Sequence, residues 1–209
     1  MVSVASLLIP IALSAVFVFI ASSIIHMFTG WHQDDLRKFA DEDAVMKALR
    51  PFNLQTGHYG LPKPDSRRDL QSPEYLAKVK AGPVAFITIR PSDFNMGSTL
   101  VLWFIYSLVV SLFAGYVAGV ALGPGTDYRN VFQIAGTVGF CGYALGMIPE
   151  SIWWGRSWGW TIRNVIDGLI YGLLTGGAFG WLWPRSVGVR LRKLAIRQVG
   201  ARSPGIRQN

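Results

Sequence analysis

Long uncharged apolar stretches alternate with polar segments along this chain, and the alternation predicts four membrane-crossing helices. Residues 4–28 (VASLLIPIALSAVFVFIASSIIHMF) carry no formal charge. At about 25 residues they are long enough to cross a hydrocarbon core. A cleaved signal peptide would need a positive leader and a shorter apolar stretch. Residues 1–6 contain no Lys or Arg, so the segment reads as an uncleaved anchor. Residues 99–122 (TLVLWFIYSLVVSLFAGYVAGVAL) form the clearest span, and the turn Gly123-Pro124-Gly125 follows. Residues 131–149 (VFQIAGTVGFCGYALGMIP) form the third, expected to end at Pro149, and residues 165–184 (VIDGLIYGLLTGGAFGWLWP) the fourth, ended by Pro184. At about 1.5 Å per residue these lengths match a core about 30 Å thick. The fold expected is an all-α membrane protein, a four-helix bundle.

The polar segment 29–98 has local order of its own. Asp41 reads as an N-cap, with Glu42 and Asp43 suited to the helix dipole behind it. That helix stops before Pro51. His58–Pro64 (HYGLPKP) is expected to be extended, because a residue before proline is pushed out of the α region. Ser72 and Pro73 start a second short helix that Gly82 ends. Val84–Ile89 (VAFITI) has the β-branched and aromatic content of a strand, or of a segment lying on the membrane surface.

Charge orients the bundle. Of 20 Lys and Arg, ten fall in 29–98, seven in 185–209 and only three in the residues between. An even number of spans puts both termini on one side, and the basic tail 185–209 makes that side the cytoplasm. Residues 29–98 are then extracytoplasmic. Their ten cations are nearly balanced by nine acids, and the loop is longer than those the charge rule governs. The net charge of +8 is mostly the tail. It is explained by orientation and by attraction to anionic lipids, so nucleic acid is not the expected partner. The single cysteine, Cys141, excludes an internal disulfide.

Two spans carry small residues at four-residue spacing: Ser111, Gly115, Gly119 and Gly123 in the second, Gly168, Gly172, Gly176 and Gly180 in the fourth. Such spacing lines one helix face, and the missing side chains let another backbone approach closely, as in a glycine zipper. The partner is expected within the bundle, with a homo-oligomer as the other reading.

Candidate chemistry is sparse. The segment between spans three and four holds Trp153, Trp154, Trp158 and Trp160, an aromatic belt at headgroup level. Among them lie Glu150, Arg156, Arg163 and Asp167. From Asp167 to Pro184 is 17 rises, about 26 Å, so Asp167 belongs just inside the outer edge. Arg163, four residues earlier on the same face, is its expected partner. An intramembrane acid is a default functional candidate, and an interfacial ion-pair cluster is the plainer reading. The histidines are His26, His32 and His58; a six-residue separation of the first two suits no single helix face, so no metal site is expected. No phosphate-binding loop, His-Glu-x-x-His, Gly-x-Ser-x-Gly or Cys-x-x-Cys occurs, and no cofactor is expected.

The strings DEDAVMKALRPF, GHYGLPKP, SPEYLAKVKAGPVAFITIRPS, WFIYSLVVSLFAGYVAG and DGLIYGLLTGGAFGWLWPR together resemble an uncharacterised family of bacterial inner-membrane proteins. The resemblance implies a bacterial inner membrane and the same four-span layout. It brings no activity, cofactor or catalytic residue. The functional expectation is a non-enzymatic structural, assembly or accessory membrane component. A small channel or transporter using the stripe Asp167, Tyr171, Thr175 is the second reading, and a membrane enzyme at the outer interface is the third.

Overall fold

The computed structural model describes residues 1–186; the basic tail expected at 185–209 lies outside them except for Arg185 and Ser186. Among the described residues four helices are long and apolar enough to cross a membrane: Val4–Phe28, Met96–Ala121, Tyr128–Trp154 and Trp158–Leu182. In chain order the elements are α1 (Leu8–Phe28), α2 (Glu42–Leu49), β1 (Gly57–Leu61), α3 (Pro73–Ala81), β2 (Ala85–Ile89), α4 (Met96–Ala121), α5 (Tyr128–Ala144), α6 (Ile148–Trp154) and α7 (Trp158–Leu182). The chain is mainly helical, but it is not all-α. β1 and β2 pair antiparallel, from Gly57 opposite Ile89 to Leu61 opposite Ala85. The GHYGL part of the segment expected to be extended and the β-branched AFITI segment thus satisfy each other's backbone groups.

The long helices differ from the expected boundaries for identifiable reasons. α4 starts at Met96 because the Asn95 side chain accepts from the backbone N–H groups of Gly97 and Ser98. α5 starts at Tyr128 because Asp127 accepts from Arg129 and Asn130 in the same way. Pro149 does not stop the third long helix. A 3-10 turn at Leu145–Met147 leads into α6, where Pro149 occupies the first turn and has no helical N–H partner to lose. The helix ends instead at Gly155, which adopts φ +69°. α7 begins at Trp158, seven residues before the expected 165, because the Ser157 hydroxyl accepts from Trp160 N–H. The segment expected to be a loop between the third and fourth spans is therefore largely helical. In 29–98 the caps fall where the sequence puts them, with Asp41 accepting from Ala44 N–H and Ser72 from Tyr75 N–H.

Burial is inverted relative to a water-soluble bundle. α4 buries Ser107, Ser111, Gly115 and Gly119. It exposes Val101, Leu102, Ile105 and Phe113. A hydroxyl-bearing layer crosses the interior: Ser111 Oγ donates to Ser14 Oγ at 3.1 Å, Ser14 Oγ to Thr175 Oγ1 at 3.1 Å, and Thr175 Oγ1 to the Tyr171 carbonyl at 2.8 Å. All three side chains are fully buried and fully partnered, which ties α4, α1 and α7 at one level. On the side of that layer where α1 begins and α7 ends, an apolar cluster of Val2, Leu7, Ile11, Ala118, Val131 and Phe179 fills the interior.

α7 packs most extensively against α5, then α1. A Cβ built on Gly172 would lie 2.9 Å from the Gly136 carbonyl oxygen, and one on Gly176 would lie 2.6 Å from that of Phe132. Gly168 meets Ala144 and Gly180 meets Tyr128, at 2.7 Å each. The matching positions on α5, namely 128, 132, 136 and 144, keep the same four-residue phase. On α4, Gly115 lies against Phe179 and Ile11, and Gly119 against the Val2 carbonyl. Val2 N–H donates to the Gly119 carbonyl at 2.8 Å, so the chain start closes onto that face. Gly123 lies past the end of α4 with nothing within 4 Å of a built Cβ, so the contact face ends at Gly119.

Candidate functional site

The end of α1 creates the site. Thr29 Oγ1 donates to the Ile25 carbonyl at 2.6 Å and accepts from Trp31 N–H at 3.2 Å, so the chain turns as soon as the helix stops. Gly30 takes φ +67°, a conformation that costs glycine little. A 3-10 turn at Gln33–Asp35 follows. The reversal lays the His32 ring on the His26 ring, with centroids 4.3 Å apart and planes within 8°. The expectation that these histidines are too far apart assumed one continuous helix; the Thr29–Gly30 turn removes that assumption.

His32 stands between two carboxylates. Its Nδ1 is 2.5 Å from Asp35 Oδ2 and its Nε2 is 2.7 Å from Asp167 Oδ2. Asp35 is held in turn by Arg163, whose Nε donates to Oδ1 at 2.8 Å and whose Nη2 reaches the same oxygen. The order is Arg163, Asp35, His32, Asp167, with alternating sign when His32 is protonated. Asp167 is 3% exposed, and such a buried acid needs a partner. Burial pushes the Asp35 carboxyl up, but hydrogen bonds and charge from His32 and Arg163 outweigh that and hold it below its ordinary value.

The His26 tautomer follows from its neighbour. Nδ1 lies 3.0 Å from the Ser22 carbonyl, which can only accept, so Nδ1 carries the proton. In the neutral ring Nε2 keeps a lone pair. His26, His32 and Asp167 each offer one ligand atom, all within 4.8 Å of one another.

The four-residue cluster expected from sequence divides in two. Arg163 and Asp167 share a face of α7, but Arg163 turns to Asp35 and Asp167 to His32. The intrahelical pair gives way to partners brought by the first loop, and all four groups join in one chain of contacts. Glu150 and Arg156 pair with each other at 3.9 Å, both well exposed. A pair of that kind contributes little to stability. Arg156 also lies over the Trp160 ring at 5.4 Å. Trp153, Trp154 and Trp158 are exposed, and Trp154 meets Phe86 of β2 edge-on at 5.3 Å. His58 is elsewhere, its Nδ1 3.1 Å from Thr88 Oγ1 across the β1–β2 pair.

Sequence reasoning missed His32 and Asp35 as partners. The available signal was depth: both follow the end of the first span, and Asp167 was expected near the same edge of the bilayer. Beneath the cluster, Tyr171 lies one turn from Asp167 and packs against Tyr143 and Trp103. Its buried hydroxyl has no hydrogen-bond partner among the described residues.

No protein-family model matches this chain, and neither does any curated protein or solved structure.

Proposed function

We propose that this chain is a four-span protein of a bacterial inner membrane that acts as a structural or accessory component and not as a conduit. Both termini are cytoplasmic, residues 29–98 are extracytoplasmic, and the His32–Asp167 cluster lies at the outer edge. The basic tail engages anionic lipids from the cytoplasmic side. The observation that carries the reading is the division of the interior by depth. Polar groups run from Asp35, His32 and Asp167 inward to the Ser14–Thr175–Ser111 layer. Beyond it the interior is closed by Val2, Leu7, Ile11, Ala118 and Phe179. A conduit needs polar or hydrated lining along its length, or a constriction that wets on opening. A hydroxyl layer whose members already satisfy one another instead fastens helices together.

The glycine faces support the same reading. Their neighbours belong to the chain itself, α5 for Gly168–Gly180 and the α1 side with Phe179 for Gly115 and Gly119. That favours a zipper within one bundle over a zipper between copies. The exposed Trp153, Trp154 and Trp158, between the third and fourth spans, suit a headgroup-level belt on the outer side.

The test is ion flux. Protein reconstituted in liposomes under an imposed potassium diffusion potential is expected to leak protons and potassium no faster than empty liposomes. The same is expected of Asp167→Asn. Flux above that of empty liposomes, abolished by Asp167→Asn, would overturn the reading in favour of a small channel or transporter.

A further inference from the structure

We infer that His26, His32 and Asp167 form a binding site for a divalent first-row transition-metal ion, with Asp35 and Arg163 as the outer pair that orients His32. The donor set is two imidazole nitrogens and one carboxylate oxygen, which suits zinc, iron(II), cobalt(II) or nickel(II) better than magnesium or calcium. Three protein ligands with a remaining position for water is the arrangement of reactive metal sites, not of closed structural ones. The ion is held where the outer interface of the bundle meets the first loop.

Spacing supports the site. Ligand atoms about 2.1 Å from a tetrahedral ion stand about 3.4 Å apart. The three atoms here lie within 4.8 Å of one another, and His32 Nε2 and Asp167 Oδ2 are 2.7 Å apart. Loading therefore widens that pair and draws in His26. The ion takes the place of the proton held between His32 Nε2 and Asp167 Oδ2, and that proton leaves to solvent. The His26 ring tilts out of its stack on His32 to present Nε2. Its exposed position at the end of α1 leaves room for that movement.

The hydrogen bonds behind the ligands point to a metal more specifically. Metal-binding histidines donate their second ring N–H to a carbonyl or a carboxylate, which fixes the tautomer and leaves the other ring nitrogen's lone pair for the ion. Both histidines here do so. His26 Nδ1 donates to the Ser22 carbonyl, and His32 Nδ1 to Asp35, itself held by Arg163. The charges also fit. Arg163 balances Asp35, which leaves the Asp167 carboxylate to the cation.

This inference deepens the reading above by giving the outer cluster a ligand, and the two fail separately: flux decides the first and metal stoichiometry in detergent the second. The experiment uses the full chain purified in detergent, with its affinity tag removed and stripped by chelator, titrated with cobalt(II) as a spectroscopic probe. One cobalt per chain is expected, with visible d–d absorption that zinc(II) displaces. His26→Gln leaves the His32–Asp167 contact in place, so it should fold, elute as a single species and lose the absorption. Asp167→Asn should lose it as well. Asp35→Asn, a positioning change, should weaken affinity about 10- to 100-fold while keeping the spectrum. His58→Gln should bind as the unaltered chain does. No stoichiometric uptake by the unaltered chain would overturn the proposal. So would unchanged uptake by folded His26→Gln and Asp167→Asn.

Discussion

At the scale of single residues, the polar cluster is organised around a buried acid and its partner. Asp167 is 3% exposed and 2.7 Å from His32 Nε2, so Asp167→Asn removes the charge that the imidazole faces. The expected loss is about 1–3 kcal/mol. It should register as a lower unfolding midpoint of the detergent-solubilised protein, and an unchanged midpoint would argue against a coupled pair. Arg163 offers a sharper check, because its expected intrahelical partner and its actual one differ. In a double-mutant cycle, Arg163→Met should couple strongly to Asp35→Asn and weakly to Asp167→Asn. The reverse ranking would restore the pairing that spacing along α7 suggests. Sequence reasoning reached Arg163 and Asp167 because helix periodicity makes neighbours visible four residues apart. It did not reach Asp35 and His32, which lie 128 and 135 residues away from them. Contacts across a turn depend on where α1 stops, and the Thr29 and Gly30 geometry that stops it is not carried by hydropathy.

At the scale of elements, uncharged length is the readable quantity. All four long helices were legible because lipid as a solvent tolerates few charges over about 20 residues. Their ends were less legible, since the apolar windows begin after Asn95, Asp127 and Ser157 have already capped the helices. Pro149 misled for a related reason: proline stops a helix from the interior but is harmless in a first turn. The β1–β2 pair was half legible, as two extended segments whose pairing nothing local encodes. The α5–α7 contact carries a prediction of its own. Gly172→Leu with Gly176→Leu drives side chains into the Gly136 and Phe132 carbonyls, where a single Cβ would already stand within 3 Å. Overpacking of that kind costs about 1–3 kcal/mol per site or more. The double variant should aggregate or unfold in detergent, as read by size-exclusion chromatography. Gly123→Leu, with nothing near its Cβ, should elute like the unaltered chain. Equal behaviour of the two variants would remove the packing role of the α7 glycines.

At the scale of the whole molecule, the parts share one axis. Apolar packing fills the end holding Val2, Leu7 and Phe179, fully partnered hydroxyls cross the middle, and the His32 cluster occupies the opposite end. The two ends of the bundle are therefore unlike. The proposed orientation turns on which side the first loop occupies. Substituted-cysteine labelling measures this directly in a Cys141→Ser background, with one cysteine introduced at Ser66 in the loop or at Ser203 in the tail. In intact spheroplasts a membrane-impermeant maleimide is expected to label the Ser66→Cys chain fully, and the Ser203→Cys chain only after permeabilisation. Labelling of both without permeabilisation, or of the tail alone, would contradict a four-span bundle with cytoplasmic termini and an outer polar cluster.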